Sequence, residues 1–411
     1  MRVSVYVLNK RGEPLMPCSP RKARIMLKNR EAKVFTRTPY TIQLTNATGE
    51  TIQPILLGTD PGYTHVGLSA VTPKREVYAA DVHLREDMVK LNSERRTYRK
   101  SRRSRKTWYR ESRFLNRKKP EGWLAPSIQH KLDSHLKLVD RVRAILPVSQ
   151  VNVEISAFDI QKIKDPDVSG AGYQNGDQKG FANAREYVLY RDGHQCTACK
   201  GKSKDPRLEV HHRESRQTGG DRPENLETLC KTCHDKVTKG QIILRFTPSK
   251  GFKAETFMSM VRWRMVTMLR DCGCRTEHTY GYLTKLGRRS LNLPKSHVND
   301  AFVIAGGNVQ ERSSDLFTHQ QVRKCNRKLF KGDRSHLPNT APREVFGFRR
   351  FDKVRFNGTE GFIFGRRTTG YFDIRTLDGT KLHASAKHND LVFLERASTL
   401  LTEKGSARID A

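Results

Sequence analysis

Two cysteine pairs, C196-T-A-C199 and C230-K-T-C233, constrain this chain more than any other feature. Each is a Cys-x2-Cys knuckle, and together they offer four thiolates at the spacing of a closed tetrahedral zinc site. Such a site leaves no open position for substrate. Cys196, Cys199, Cys230 and Cys233 are therefore expected to hold structural Zn2+ and to staple a small insert that could bury little core alone. Between and beside the knuckles lie L208-E-V-H211-H212, a G219-G220 pair, N225-L-E-T-L229 and His234. Leu208 to His212 reads as a strand, and Cys233 to Thr238 as the start of a helix.

The order His-His, Asn, His around a hairpin and a helix resembles the HNH nucleases. That resemblance implies a ββα-metal unit gripping one divalent cation. His212 would be the general base, since an imidazole with pKa near ~6.5 can deprotonate water close to neutral pH. His211 and His234 would hold the metal against the scissile phosphate and stabilise the leaving 3′ oxygen. Asn225 is expected to tie the hairpin loop together more than to touch the metal. Two positions depart from the pattern. Thr238 stands where several HNH enzymes have a further His, and His211 stands where many have Asp. The competing reading is a plain zinc knuckle with incidental histidines.

Charge limits the partners. Among 411 residues, 77 Lys and Arg face 43 Asp and Glu, a formal net charge of +34 with pI ≈ 10.1. An enzyme of small molecules has no need of that field, whereas phosphate backbones account for it. No stretch approaches the ~18 consecutive apolar residues of a membrane span and no signal peptide opens the chain, so a membrane partner is not expected. Eight cysteines, four of them in the knuckles, fit a reducing cytoplasm better than a disulfide framework. Cys18, Cys272, Cys274 and Cys325 follow no interpretable spacing.

The rest of the chain divides by composition. Residues 1–50 read as a small module: a strand from Val3 to Leu8, a turn at G12-E-P14-L-M-P17, a basic helix at 21–30 and a returning strand at Ala32 to Phe35. From Ile55 an apolar run ends in Asp60, turns at D60-P-G62 and returns as a second strand to Val71, with a third at Glu76 to Val82. Three consecutive strands with an acid at the end of the first open a ribonuclease H-like fold. Such a fold needs further acids for two divalent ions. Glu154, on the strand Val151–Ile155, and the helix S296-H297-V-N-D300-A-F-V-I-A305 supply candidates, with His297 and Asp300 on one helix face.

Residues 95–119 carry thirteen basic side chains against one acid, Glu111, interleaved with Tyr98, Trp108, Tyr109 and Phe114. A solvated, disordered run is the bland reading. Good helix formers and aromatic packing residues favour a long helix laid on nucleic-acid phosphates, with Arg95, Arg96, Arg99, Arg102, Arg103, Arg105, Arg110 and Arg113 as contacts. Residues 161–184 read as the linker into the cysteine-bearing insert and Lys239 to Glu255 as the linker out. Residues 308–345 read as polar and irregular, and short strands beyond Val345 as a small all-β module of the SH3 barrel kind.

With these parts in this order, the chain resembles the IscB family, transposon-encoded RNA-guided nucleases related to the CRISPR type II effectors. P14-L-M-P17 matches the motif that names that family's amino-terminal domain. Asp60, Glu154 and the His297/Asp300 pair match three split RuvC motifs, and the arginine-rich segment matches the bridge helix. The resemblance implies an α/β multidomain chain. In order it has a PLMP domain (1–50), RuvC part I (51–90), the bridge helix (91–120), RuvC part II (121–165), a zinc-bearing HNH domain with linkers (166–250), RuvC part III (251–310), and a segment contacting guide RNA and the target-adjacent motif, with a β-barrel-like module (311–411).

It also implies Mg2+ or Mn2+ at Asp60, Glu154, His297 and Asp300 and at His211 and His234. The partners implied are a guide RNA (omega RNA) and double-stranded target DNA with a short adjacent motif, in a monomeric ribonucleoprotein of the prokaryotic cytoplasm. HNH would cut the guide-paired strand and RuvC the displaced one. Two other classes stand beside this reading: a RuvC-like junction resolvase or recombinase without guide RNA, and a non-catalytic nucleic-acid-binding regulator.

Overall fold

The computed structural model describes residues 4–106, 123–155 except 125, 184–213, 225–244, 253–323 and 342–406. The chain forms two compact units, residues 157–256 and the remainder. No helix among the described residues is long and apolar enough to cross a membrane.

In the larger unit, the leading segment folds as β1 (Val5–Leu8), β2 (Pro14–Cys18), α1 (Pro20–Lys28), β3 (Ala32–Thr36) and β4 (Thr41–Leu44), in sheet order β2-β1-β4-β3. The P14-L-M-P17 stretch, expected as a turn, is a strand. It occupies the sheet edge, where two prolines lacking N–H cost no ladder bonds on the open side. Ser19 caps α1 by accepting the Lys22 N–H at 3.3 Å. Val5, Val7, Ala23, Ile42 and Leu44 form this module's core. Tyr6 points the other way, its hydroxyl donating to the Val77 carbonyl at 3.0 Å, and so fastens the module to the central sheet.

The central sheet starts with β5 (Leu56–Pro61), β6 (His65–Val71) and β7 (Glu76–His83), an antiparallel run. Two helices follow, α2 (Met88–Lys106) and α3 (Pro126–Arg143), then β8 (Gln150–Ile155), parallel to β5. The smaller unit comes next in sequence: α4 (Ala184–Arg191), β9 (Leu208–His212), β10 (Leu226–Cys230) and α5 (Lys231–Thr238). Its helix begins two residues earlier than the sequence suggests, with Cys230 at the cap.

The chain returns to the larger unit through α6 (Lys253–Asp271), β11 (Thr276–Tyr280), α7 (Gly281–Ser290), α8 (His297–Ile304) and β12 (Asp315–Gln321). Five short strands make the terminal sheet: β13 (Lys353–Phe356), β14 (Thr359–Arg366), β15 (Tyr371–Arg375), β16 (Lys381–Lys387) and β17 (Val392–Glu395). The last strand is β18 (Leu400–Ser406).

The completed central sheet has the order β11-β8-β5-β6-β7-β12-β18. Its first five strands, with β6 antiparallel to the other four, have the ribonuclease H-like arrangement. Leu57, Val151, Val153 and Ile155 on one face meet Leu132, Val139 and Val142 of α3 and Val261, Met265 and Leu269 of α6. The opposite face carries α8. A Cβ on Gly58 would overlap the Ala301 carbonyl, and one on Gly67 the His297 carbonyl, so these two glycines let the helix backbone rest directly on the strands.

Residues 308–345, expected to be irregular, contribute β12, and β18 pairs antiparallel with it. The segment beginning at 311 thus supplies two strands to the central sheet as well as a sheet of its own. The terminal module is a five-stranded antiparallel sheet, β16-β15-β14-β13-β17, around Val354, Ile363, Phe372 and Ile374. Among the described strands its two outermost members do not pair, so it is observed as an open sheet where a barrel was expected.

Candidate nuclease sites and their comparisons

The register of the central sheet builds the first site. Asp60 pairs with Gly67, and Gly67 with Asp81. On the other side, Thr59 pairs with Val153, so Glu154 lies one step on, beside Asp60. Glu154, Asp60, Gly67 and Asp81 therefore form a row across β8, β5, β6 and β7 on the face that α8 covers. Helix α8 starts at this row: Ser296 caps it by accepting the Asn299 N–H at 3.1 Å, and His297 and Asp300 follow in its first turn.

His297 Nδ1 lies 2.5 Å from Asp60 Oδ2. A carboxylate only accepts, so Nδ1 carries the proton and donates. That bond raises the His297 pKa above the ordinary imidazole value despite partial burial. Glu154 is raised by burial and then by the charge of Asp60, and Asp300 by burial and then by Asp60. Three carboxyl groups this close together are a donor set suited to divalent cations.

Two arginines that sequence reasoning passed over belong here. Arg288 on α7 holds Asp300 Oδ1 at 2.8 Å, and Arg262 on α6 donates to the Pro61 carbonyl at 2.9 Å, with a second nitrogen 4.0 Å from Asp60. Neither follows from local spacing, because each reaches the site from another helix.

In the smaller unit, β9 and β10 form an antiparallel hairpin in which His211 faces Glu227 and His212 faces Leu226. The Asn225 carbonyl accepts the Arg213 N–H at 2.8 Å, and Asn225 is fully buried at the mouth of the hairpin. The first turn of α5 brings His234 onto the hairpin, with its ring 5.1 Å from that of His211. The two expected metal-holding imidazoles are thus neighbours. Burial, then the adjacent His234, keeps His211 below the ordinary imidazole pKa, so its lone pair stays available.

Glu209 is the residue missed in this unit. It shares a strand face with His211, two residues on, and its Oε2 lies 2.5 Å from His234 Nδ1. That bond fixes the proton on Nδ1 and leaves Nε2 as the ring's acceptor. The signal was present as the period-two spacing Glu209/His211, but a lone Glu on a strand carries no chemistry by itself.

The four knuckle cysteines converge, with all Sγ atoms within 4.8 Å of one another. Zinc bound to four sulfurs at ~2.3 Å would place tetrahedral neighbours about 3.8 Å apart. Cys199 and Cys230 Sγ are 3.8 Å apart. The donor set and its spacing fit zinc. The Ser203 hydroxyl draws the Cys199 thiol down to about 6, whereas burial pushes Cys233 up.

Of the arginine-rich residues, Arg95, Arg96, Arg99 and Arg103 lie exposed on α2, and Arg96, Arg99 and Arg103 recur on one face. Leu91, Glu94 and Tyr98 on another face are half-buried. Arg102 and Arg105 fall within the helix, while Arg110 and Arg113, like Trp108, Tyr109 and Phe114, lie outside the described residues.

A family model described as RRXRR protein matches residues 5–176, and one described as HNH endonuclease matches residues 196–240. The first spans Asp60, the arginine-rich helix and Glu154, and the second runs from Cys196 past His234. The chain thus carries an RRXRR region followed by an HNH endonuclease region. Among solved structures, Streptococcus thermophilus Cas9 in complex with the GGAA PAM is similar at 12% identity and a TM-score of 0.32, over 45% of this chain and 26% of that one. T. thermophilus RuvC in complex with Holliday junction substrate is similar at 11% identity and a TM-score of 0.24, over 62% of this chain and 90% of that one. The chain spans about a quarter of the Cas9 chain it matches. No curated protein sequence matches it.

Proposed function

We propose that this protein is an RNA-guided DNA endonuclease whose HNH centre cuts the guide-paired strand and whose split RuvC-like centre cuts the displaced strand. One observation carries the reading: the HNH unit is inserted between β8 and β11, neighbouring parallel strands of a ribonuclease H-like sheet. Two hydrolytic centres with different donor sets in one chain suit two DNA strands that a guide has separated. The charge of +34 suits a protein gripping guide, heteroduplex and displaced strand at once.

In the HNH centre, His212 takes the proton of the attacking water. Glu209 holds His234 in one tautomer, and burial keeps His211 neutral, so both present a lone pair to a divalent ion. In the RuvC-like centre, Asp60, Glu154 and Asp300 are the acidic ligands. His297, held by Asp60, exchanges a proton at the displaced-strand phosphate. Arg288 fixes the Asp300 carboxylate in orientation. Mg2+ or Mn2+ bound at these donor sets supplies Lewis-acid stabilisation of the charge that develops on the phosphate. The exposed arginines of α2 hold A-form backbone near the pairing end of the guide.

The test is the nucleic acid that the protein retains when expressed with its neighbouring locus. A discrete structured RNA, bound in preference to total RNA, supports guided cleavage. Retention of random nucleic acid alone contradicts it.

A further inference from the structure

A second cluster of metal-ligating side chains stands beside the RuvC-like centre, outside both nuclease donor sets and the cysteine site. His65 on β6 and His83 on β7 are direct register partners, and Asp81 lies two residues before His83. Cross-strand pairing and the period of two put all three side chains on one sheet face. Val82 between them is fully buried on the other face.

One ligand atom from each of the three lies within 4.8 Å of the others. His65 Nδ1 is 4.0 Å from Asp81 Oδ1, and His83 Nε2 is 3.7 Å from Asp81 Oδ2. Both spacings exceed a hydrogen bond. Two ligands bound at ~2.1 Å in tetrahedral geometry stand about 3.4 Å apart, so side-chain shifts of about an ångström bring the three onto one ion. Asp81 Oδ1 is itself buried without a hydrogen-bond partner, a cost that a bound cation removes. The side chains of His65 and His83 are 37% and 45% exposed, which leaves an ion a path from solvent.

We propose that His65, Asp81 and His83 form a further binding site for a divalent transition-metal cation. Two imidazoles and one carboxylate select zinc, cobalt, nickel or iron over magnesium, and three protein ligands leave positions open to water or a phosphate oxygen. The His65 ring lies parallel to that of His297, 5.7 Å away, so an ion at this site orders the ring packed against the histidine that holds Asp60. The site is a property of the sheet alone and does not depend on guide RNA.

The probe is Co2+, titrated into the full zinc-loaded chain without nucleic acid and in millimolar Mg2+, with uptake read from visible absorption. Wild type is expected to bind one more Co2+ than His65→Gln, Asp81→Asn or His83→Gln, each of which weakens that step by at least about tenfold. Asp81→Glu, which keeps a carboxylate, is expected to recover most of it. Circular dichroism confirms that each variant is folded. Equal stoichiometry and affinity in folded wild type, His65→Gln and His83→Gln overturn the site.

Discussion

His297 Nδ1 donates to Asp60 Oδ2 at 2.5 Å, although 237 residues separate the two in sequence. The bond exists because α8 lies directly on β5 and β6 at Gly58 and Gly67. It joins the strand end that opens the ribonuclease H-like sheet to the helix that follows the HNH insert.

The proposed function makes the two centres chemically independent, so strand cleavage is expected to separate by mutation. Asp60→Ala or Asp300→Ala removes an acidic donor and is expected to abolish displaced-strand cutting while guide-paired nicking persists. His212→Ala gives the complementary nickase, with a loss of about 10²–10⁴-fold on the guide-paired strand. Strand-labelled substrates read both outcomes. Retention of both cuts in Asp60→Ala refutes the RuvC-like assignment.

Glu209→Gln tests the residue that orients His234. Guide-paired cutting is expected to fall about 10–100-fold if His234 holds the metal, with displaced-strand cutting unchanged. An unaltered rate on both strands means that the Glu209–His234 bond has no part in the chemistry.

Much of both sites was legible in the sequence, for a physical reason that also marks its limit. The knuckles, His211/His212 and the acid at the end of β5 are local patterns in which spacing alone places side chains together. Arg288, Arg262 and the His65–Asp81–His83 face depend on which strands and helices become neighbours. That is decided by burial of apolar faces across the whole sheet. P14-L-M-P17 read as a turn because proline usually breaks strands, but on the edge beside β1 its missing N–H costs nothing. β12 and β18 escaped notice for a similar reason: Asp315 to Gln321 is polar and alternates weakly, and its partner begins at Leu400.

Glu154 carries a linkage prediction. Burial and Asp60 raise its pKa in the fold, so the native state pays for ionising it. The cost is fully present above the raised pKa and vanishes below the unfolded carboxyl value of ~4.3. Glu154→Gln in EDTA is therefore expected to melt about 1–3 °C higher than wild type near neutral pH, an advantage that disappears as pH falls towards 4. A variant that melts lower than wild type near neutral pH contradicts the electrostatic account.

Zinc at the four cysteines is expected to remain in EDTA that stops cleavage by stripping Mg2+. Cys199→Ser or Cys230→Ser unfolds the insert locally, read as new proteolytic cuts within residues 184–244 while the central sheet stays intact. Freshly purified, active protein free of zinc refutes the knuckle.

The most direct measurement of RNA guidance is cleavage after re-addressing the RNA. The co-purifying RNA is rebuilt with a new pairing segment and offered a plasmid carrying the matching sequence beside randomised flanks. Cutting is expected to move to the new sequence, to require a short common flank, and to fall far more than duplex affinity in Arg96→Ala/Arg99→Ala/Arg103→Ala at matched salt. Cleavage that ignores the RNA's sequence, or that prefers four-way junction DNA with no RNA present, contradicts the account.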